Sequence, residues 1–515
     1  MPLSAGAKAS PGETLRFVLD GRVICIDQPS PTMTVLDYLR EVAGRSGTKE
    51  GCAEGDCGAC TVVLGELSSH GIRYRAVNSC IRFLPTMDGK ELVTVESLRQ
   101  PSGDLHPVQQ SMIDHHASQC GFCTPGFVMS LFALYLQRSQ ASRDQVLEAL
   151  TGNLCRCTGY RPIIDAGMQQ GDYPDPARWS RADARSRKRL DTLQRLAHER
   201  TTGASLRYPG YHAPRTLEEL SAALLAHPNA VVLAGGTDVG LWVTKQLREL
   251  QSIIFVGDVP ELSVIEDRPQ ELWIGAAATL TDAWPALLQR FPELEEQAAR
   301  FASPPVRNSA TLCGNLANGS PIGDSIPALI ALGAHIELRK GATVRRLALE
   351  DFYLGYQKKA LDPGEFLTGV AIPAATQGRL LGSFKVSKRI DQDISGVCAT
   401  FCVSLDGEHV RSARLAYGGM AATACRARHA ERALLEHGWT RAGIEACSAA
   451  LAADFKPLSD LRASSAYRLQ IAGNLLRRFF LQHQAEHPAL RTHDPLRTHD
   501  PLRPGEPRPE AGLSR

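Results

Sequence analysis

The sequence predicts a multidomain α+β protein, and three observations carry that reading. The chain has 515 residues, room for three or four domains at roughly 150 residues each. Its composition, 43% hydrophobic and 22% charged, is that of a water-soluble globular protein. Its 14 cysteines are unevenly placed. Nine precede residue 158, none lies between Cys157 and Cys313, and five are scattered later. Any thiolate chemistry therefore belongs to the first third. The net charge of +2 argues against a nucleic-acid or membrane-surface partner. No window approaches the ~18 apolar residues of a membrane span, and the first residues lack the apolar core of a signal peptide. A cytoplasmic protein is expected, with thiols free or ligating rather than disulfide-bonded.

The first domain is expected over residues 12–97. "TLRFVLDGRVICID" reads as two strands joined at Asp20–Gly21. "TVLDYLREVAG" follows with helical spacing at Val35, Leu36, Leu39 and Val42. Cys25, in the strand "RVICI", is expected to be a core thiol. Then "GCAEGDCGAC" sets Cys52, Cys57 and Cys60 at C-x4-C-x2-C, with Cys80 next. That is the plant-type [2Fe–2S] spacing, a short glycine-rich loop wrapping three thiolates. It fits zinc poorly. The order strand, strand, helix, cysteine loop is that of a β-grasp ferredoxin domain.

The second domain is expected over residues 98–170. Cys120 and Cys123 sit in "CGFCTPG" before the apolar run "FVMSLFALYL". Cys155 and Cys157 lie in "GNLCRCTGYRPI", and 31 residues separate Cys123 from Cys155. Residues so close do not readily form a disulfide, so the tight pair completes a four-thiolate set. Helix ends beside each pair, one capped by Ser142 or Asp144 and ended by Gly152, give a helical-bundle [2Fe–2S] domain. Four-cysteine zinc is the alternative for this group taken alone.

Residues 171–205 are charged and proline-bearing, which predicts a solvated linker with one exposed helix near 188–198. A capped helix then leads into the apolar strand Ala230–Ala234 and the turn Gly235–Gly236. Consecutive N–H groups at such a turn suit a pyrophosphate, although a plain turn is the simpler reading. A second polar stretch, Thr311, Asn315, Asn318, Ser320 and Asp324, runs beside an apolar helix and calls for a polar ligand. Residues 206–380 are expected to form a two-part α/β domain, and 381–484 an α+β closing domain. Cys398, Cys402, Cys425 and Cys447 lack ligand spacing and are expected as core thiols. The repeat "LRTHDP" predicts a disordered tail over 485–515.

"KEGCAEGDCGACTV", "CGFCTPG" and "GNLCRCTGYRPI" resemble the iron–sulfur portion of the xanthine dehydrogenase family of molybdenum hydroxylases. The resemblance extends over about residues 12–480. It implies two [2Fe–2S] clusters on the eight cysteines, the helical-domain cluster facing molybdenum and the β-grasp cluster facing flavin. It places Gln119 near a molybdopterin. It implies an FAD-binding domain, with Val232, Leu233, Ala234, Gly235, Gly236, Thr237, Asp238 and Val239 as the pyrophosphate loop. Phe301 would lie near the isoalloxazine, and Thr311, Asn315, Asn318, Ser320 and Asp324 along the FAD. Cys313 stands where the family usually has glycine. Tyr356 is implied as an NAD contact, and Asp391 or Asp393 with Ile394 as the segment reaching the flavin. The third and fourth domains would be the FAD-binding domain and the C-terminal flavoprotein domain. The chain ends soon after them. The expectation is thus an electron-transfer subunit without catalytic side chains, paired with a large molybdopterin-binding subunit in a heterotetramer of two small and two large chains. Electrons would pass from oxidation of hypoxanthine or xanthine to NAD. The alternatives are the same role in an aldehyde or N-heterocycle hydroxylase, and a non-enzymatic iron–sulfur redox sensor.

Overall fold

The computed structural model describes residues 12–484 apart from 139, 375–377 and 391. Asp391 and the 485–515 repeat therefore lie outside the described residues.

Strands Thr14–Leu19 and Arg22–Asp27 form the expected hairpin. Its turn residues Asp20 and Gly21 both take positive φ, as a two-residue hairpin with native twist requires. These strands join Glu91–Val93, Thr61–Ser68 and Gly71–Asn78 in a mixed five-stranded sheet. Thr14–Leu19 pairs in parallel with Glu91–Val93, and every other pairing is antiparallel. Two expectations fail on this sheet. Cys25 is exposed, not a core thiol, because Arg22–Asp27 is an edge strand with little cover. The helix after it is a single α turn, Val35–Asp37, running into a π turn, Tyr38–Val42. The wider turn carries Val42 off the buried stripe, and it is 55% exposed.

The second domain is four helices: Pro107–Asp114, Thr124–Gln137, Arg143–Leu150 and Arg161–Gln169. Thr124–Gln137 is buried nearly all round, as its unbroken apolar run demands. Ser142 caps Arg143–Leu150 by accepting from Gln145 N–H. His106 caps Pro107–Asp114: Nδ1 accepts from Val108 N–H at 3.2 Å, which leaves Nε2–H to donate to the Trp179 carbonyl at 3.2 Å. Burial holds its pKa down to about 4. The folded chain thus binds this proton more weakly than the unfolded chain, whose histidine titrates near ~6.5. Stability is unaffected above that value, falls as pH drops toward 4, and levels off below. The full loss is on the order of 3 kcal/mol at ~1.4 kcal/mol per pH unit. Thermal midpoints across that range should show this slope, and His106→Asn, which cannot titrate, should flatten it.

Residues 171–205 are a packed strap, not a solvated linker. Trp179 is fully buried and donates to the Ser97 carbonyl. Arg189 lies 3.6 Å over its ring and pairs with Glu91 at 2.7 Å. Helix Arg187–Thr202 buries Leu193 and Leu196 against Val18. Arg200 then joins Asp88 at 2.7 Å to Asp258 at 2.5 Å. The charges that suggested solvent are paired with the first and third domains.

The third domain has two sheets. One orders Leu206–Tyr208, Tyr211–Ala213, Ile253–Phe255 and Val231–Leu233, with the last three strands parallel. The other is antiparallel and has five strands, the central one Phe366–Pro373. The closing domain is a four-stranded antiparallel sheet from Arg379 to Arg426, packed with helices Arg428–His437, Arg441–Asp454 and Ser465–Gln482. Cys398 and Cys447 are buried there, Cys402 and Cys425 half-buried. No helix among the described residues is long and apolar enough to cross a membrane.

Candidate electron-transfer centres

The loop Cys52–Cys60 can fold back on itself because glycines stand where side chains would block it. A Cβ on Gly51 would lie 2.8 Å from Cys57 Sγ. Gly55 and Gly58 take φ of +80° and +70°, which cost a glycine nothing. Cys60 Sγ lies 3.2 Å from Cys80 Sγ, and Cys57 N–H donates to Cys52 Sγ at 3.4 Å. Hydrogen bonds from Cys57 and Cys80 hold the Cys52 thiol far below the ordinary thiol range. The same contacts push Cys57 and Cys80 far above it.

In the helical domain Cys123 faces Cys155 and Cys120 faces Cys157. Burial, then the Cys155 contact, pushes Cys123 up to about 12. Cys155 is lowered against its burial by the Thr158 hydroxyl, 3.2 Å from its Sγ. Cys120 and Cys157 are exposed. Among the described residues no group of three or more His, Cys, Asp or Glu is arranged to hold a single metal ion. In the first group Cys52 meets Cys57 and Cys80, and Cys80 meets Cys60; in the second the thiols meet two and two. A [2Fe–2S] cluster takes four thiolates, two on each iron, and each set supplies that number.

The two thiol groups touch. Leu154 N–H donates to the Cys57 carbonyl at 2.9 Å, and Asn153 Nδ2 donates to the Gly58 carbonyl at 3.2 Å. One hydrogen bond therefore links the residue before Cys155 to the backbone of Cys57. On its other side the first loop meets helix Val239–Thr244, which follows the Gly235–Gly236 turn. Thr244 Oγ1 donates to the Ala53 carbonyl at 2.6 Å, and Lys245 Nζ to that of Cys52 at 3.0 Å. Leu36, Cys60, Cys80 and Ile81, with Leu241, form an apolar wall, and the Ile81 carbonyl lies beside Gly236 of the turn.

At that turn Gly236 has φ +77°, and a Cβ on Gly235 would fall 1.9 Å from the Ser309 carbonyl oxygen. Gly235 is thus packed on the Ser309–Ala310 backbone, and a turn of two glycines leaves its N–H groups without side-chain cover, as a pyrophosphate cradle requires. Leu233 is buried, Ala234 and Val239 are partly so, and Val232 is 42% exposed. Thr237 is half-buried, as is Asp238, which shares a hydrogen bond with Asn318. That contact brings the turn and the second polar stretch together. Thr311 caps helix Leu312–Asn318, and Asn315 Oδ1 accepts from Ser325. Ser320 accepts from Ile322 N–H. Phe301 packs edge-on to Trp284. Cys313 points the other way: its Sγ lies in the core, 3.8 Å from the Ile274 carbonyl. The thiol therefore does not crowd the turn.

Asp324 is buried with both oxygens engaged, by Lys385 Nζ at 2.7 Å and Ser395 Oγ at 2.6 Å. It fastens the third domain to the closing one. Tyr356, 62% exposed at a hairpin tip, and Ile394, 42% exposed, stand apart from this cluster. Asp393 accepts from Arg389 N–H within its own loop. The sequence reading missed three residues. Lys385 shares a strand face with Leu381 and Ser383, and a lysine on a core face signals a buried partner. Lys359 is half-buried beside Asp238. Gln392, with its amide nitrogen toward the first loop, donates to Asp56 Oδ1 at 3.2 Å and accepts from Gly152 N–H. Nothing in the sequence marked those two.

Four family models match the chain, and together they define an iron–sulfur flavoprotein. They are described as a 2Fe-2S iron-sulfur cluster binding domain (residues 17–81), a [2Fe-2S] binding domain (94–168), a FAD binding domain in molybdopterin dehydrogenase (204–375) and a CO dehydrogenase flavoprotein C-terminal domain (382–483). Xanthine dehydrogenase of Emericella nidulans is 33% identical over 91% of this chain and 38% of its own length. That of Drosophila subobscura is 34% identical over 79% and 34%. Aldehyde oxidase 2 of Cavia porcellus is 32% identical over 91% and 40%. The chain belongs to the molybdenum hydroxylase family and carries its iron–sulfur and FAD domains. It spans 34–40% of the length of these relatives.

Proposed function

We propose that this chain is the iron–sulfur/FAD electron-transfer subunit of a xanthine dehydrogenase. It would take electrons from a molybdopterin centre on a large partner subunit, in the oxidation of hypoxanthine and xanthine to urate, and deliver them to NAD. The observation that carries the reading is the order of contacts: Cys155 group, Leu154–Cys57 hydrogen bond, Cys57 group, apolar wall, Gly235–Gly236 turn. Bound clusters would carry one electron at a time, and the flavin would collect two and pass a hydride to NAD.

The chain's residues hold, space and shield these groups. Cys52, Cys57, Cys60 and Cys80 would ligate one cluster, and Cys120, Cys123, Cys155 and Cys157 the other. The exposed Cys120 and Cys157, beside exposed Phe122 and Leu154, would face the partner near Gln119. Val232 to Val239 would cradle the diphosphate, with Thr311, Asn315, Asn318 and Ser320 along the rest of the FAD and Phe301 at its ring. Asp324 would act through its clamp on Lys385. Tyr356 and Ile394, both exposed, would meet NAD and flavin from outside. Aldehyde oxidase 2 is almost as similar as the xanthine dehydrogenases, which supports an aldehyde hydroxylase as the second reading.

Chain purified without air should hold four iron, four labile sulfides and one FAD. Cys57→Ser and Cys155→Ser should each erase a different electron paramagnetic resonance signal, since serine is a poor ligand for such iron. Loss of the same signal in both variants defeats the two-cluster relay. Turnover of an aldehyde but not xanthine by the complex with its partner selects the second reading.

A further inference from the structure

A cavity of about 190 Å³ lies at the seam between the first and third domains. At ~30 Å³ per water it holds about six waters, ample for a phosphate-sized ion. Its first-domain wall carries Arg73, Arg75, Arg82 and Lys90. Two carboxylates answer them. Lys90 takes Glu66 at 2.5 Å, and Arg73 and Arg75 share Asp282 at 3.1 and 2.5 Å. Four cations against two anions leave a surplus of two positive charges.

Arg82 holds part of that surplus with no carboxylate in contact, Glu66 and Asp258 acting on it only from a distance. It is nine-tenths buried, and among the described residues it makes no ion pair. Its Nε has no hydrogen-bond partner, and its one hydrogen bond is a long 3.5 Å donation to Ser309 Oγ. A buried guanidinium without an anion is costly, because its desolvation is not repaid. Glu66 reports the same field. Although partial burial alone would raise its pKa, Lys90, Arg82 and Arg75 hold it down to about 2. The opposite wall offers backbone at Gly235 and the hydroxyls of Ser309 and Thr311, groups that hydrogen-bond an oxyanion.

We infer that this cavity is an oxyanion site, taking a phosphate group whose charge Arg82 neutralises and whose oxygens bridge the ferredoxin and FAD-binding domains. The group comes either from free phosphate or from the diphosphate of bound flavin, since Gly235 and Thr311 border both. Such a ligand would lock the seam through which electrons leave the first cluster.

The test uses the intact protein with its cofactors, in a chloride buffer, titrated with inorganic phosphate at constant ionic strength. If free phosphate is the ligand, calorimetry shows one saturable site and the thermal midpoint rises. Arg82→Gln abolishes both while keeping iron and FAD content, and Arg82→Lys keeps part of each. If the flavin supplies the group, added phosphate does nothing to the parent, while Arg82→Gln shifts the phosphorus resonances of bound FAD or releases it. The inference is overturned if phosphate acts no more than chloride and Arg82→Gln leaves the flavin resonances unmoved. It is equally overturned if Arg82→Gln responds to phosphate like the parent. Absence of iron or FAD from the parent protein would count against the proposed function, not this site.

Discussion

Replacing Gly58 with valine is expected to strip iron from both thiol groups at once. Gly58 sits between Cys57 and Cys60 with φ +70°, and an added Cβ would lie 2.1 Å from the Gly152 carbonyl oxygen and 2.9 Å from Asn153 Cα. Both obstacles are backbone, so no rotamer relieves them. On the facing side a Cβ on Gly126 would meet the Gly58 carbonyl at 2.1 Å, so the loop cannot retreat either. The left-handed conformation costs an L-residue ~1–2 kcal/mol, and overpacking adds ~1–3 kcal/mol. The sum is a large part of the ~5–15 kcal/mol that holds a domain together. Iron per chain should fall from four to below one, with secondary structure largely kept in circular dichroism. Cys25→Ser, on the exposed edge strand, should keep all four. A Gly58→Val protein with full iron would show that the clusters are not held at this seam.

The second large effect is expected at Gly235. Valine there would drive a Cβ to within 1.9 Å of the Ser309 carbonyl oxygen. Relief requires the turn to swing away from Ser309–Ala310, which spoils the diphosphate cradle. FAD content should drop at least tenfold while iron stays at four, because the groups the valine would displace, Ser309 and Ala310, lie outside both cysteine loops. Given its partner and xanthine, the variant should still reduce its clusters and fail to reduce NAD. Gly236→Val should behave similarly but more mildly in contact, since its Cβ approaches Ile81 O at 3.2 Å; its strain comes from φ +77°. Normal FAD content in both variants would move the flavin site elsewhere.

Much of the site was legible before any coordinates. Thiolate spacing is local chemistry: C-x4-C-x2-C and C-x2-C with C-x-C state a donor set within short loops, and the glycines beside them state the backbone path. The order of domain types was legible because the two cysteine motifs and the glycine turn each mark one. The 171–205 strap was not. Its ion pairs join Arg189 to Glu91 and Arg200 to Asp88 and Asp258, partners far away in sequence, so the charges read as solvent-facing. Cys25 misled because strand composition says nothing about which strand lies at an edge. Val42 misled because a π turn breaks the helical period without changing composition.

The sequence alone determined the eight cysteines, the two helix caps beside them and the glycine turn, since each depends on residues within a few positions. Only the tertiary structure decided how these meet. The Leu154–Cys57 hydrogen bond, the docking of Thr244 and Lys245 on the first loop, the Asp324–Lys385 clamp and the unpaired Arg82 all join residues at least 61 positions apart. Such contacts form because packed domains exclude water and force buried polar groups to find partners wherever the chain brings them, and no local pattern encodes that.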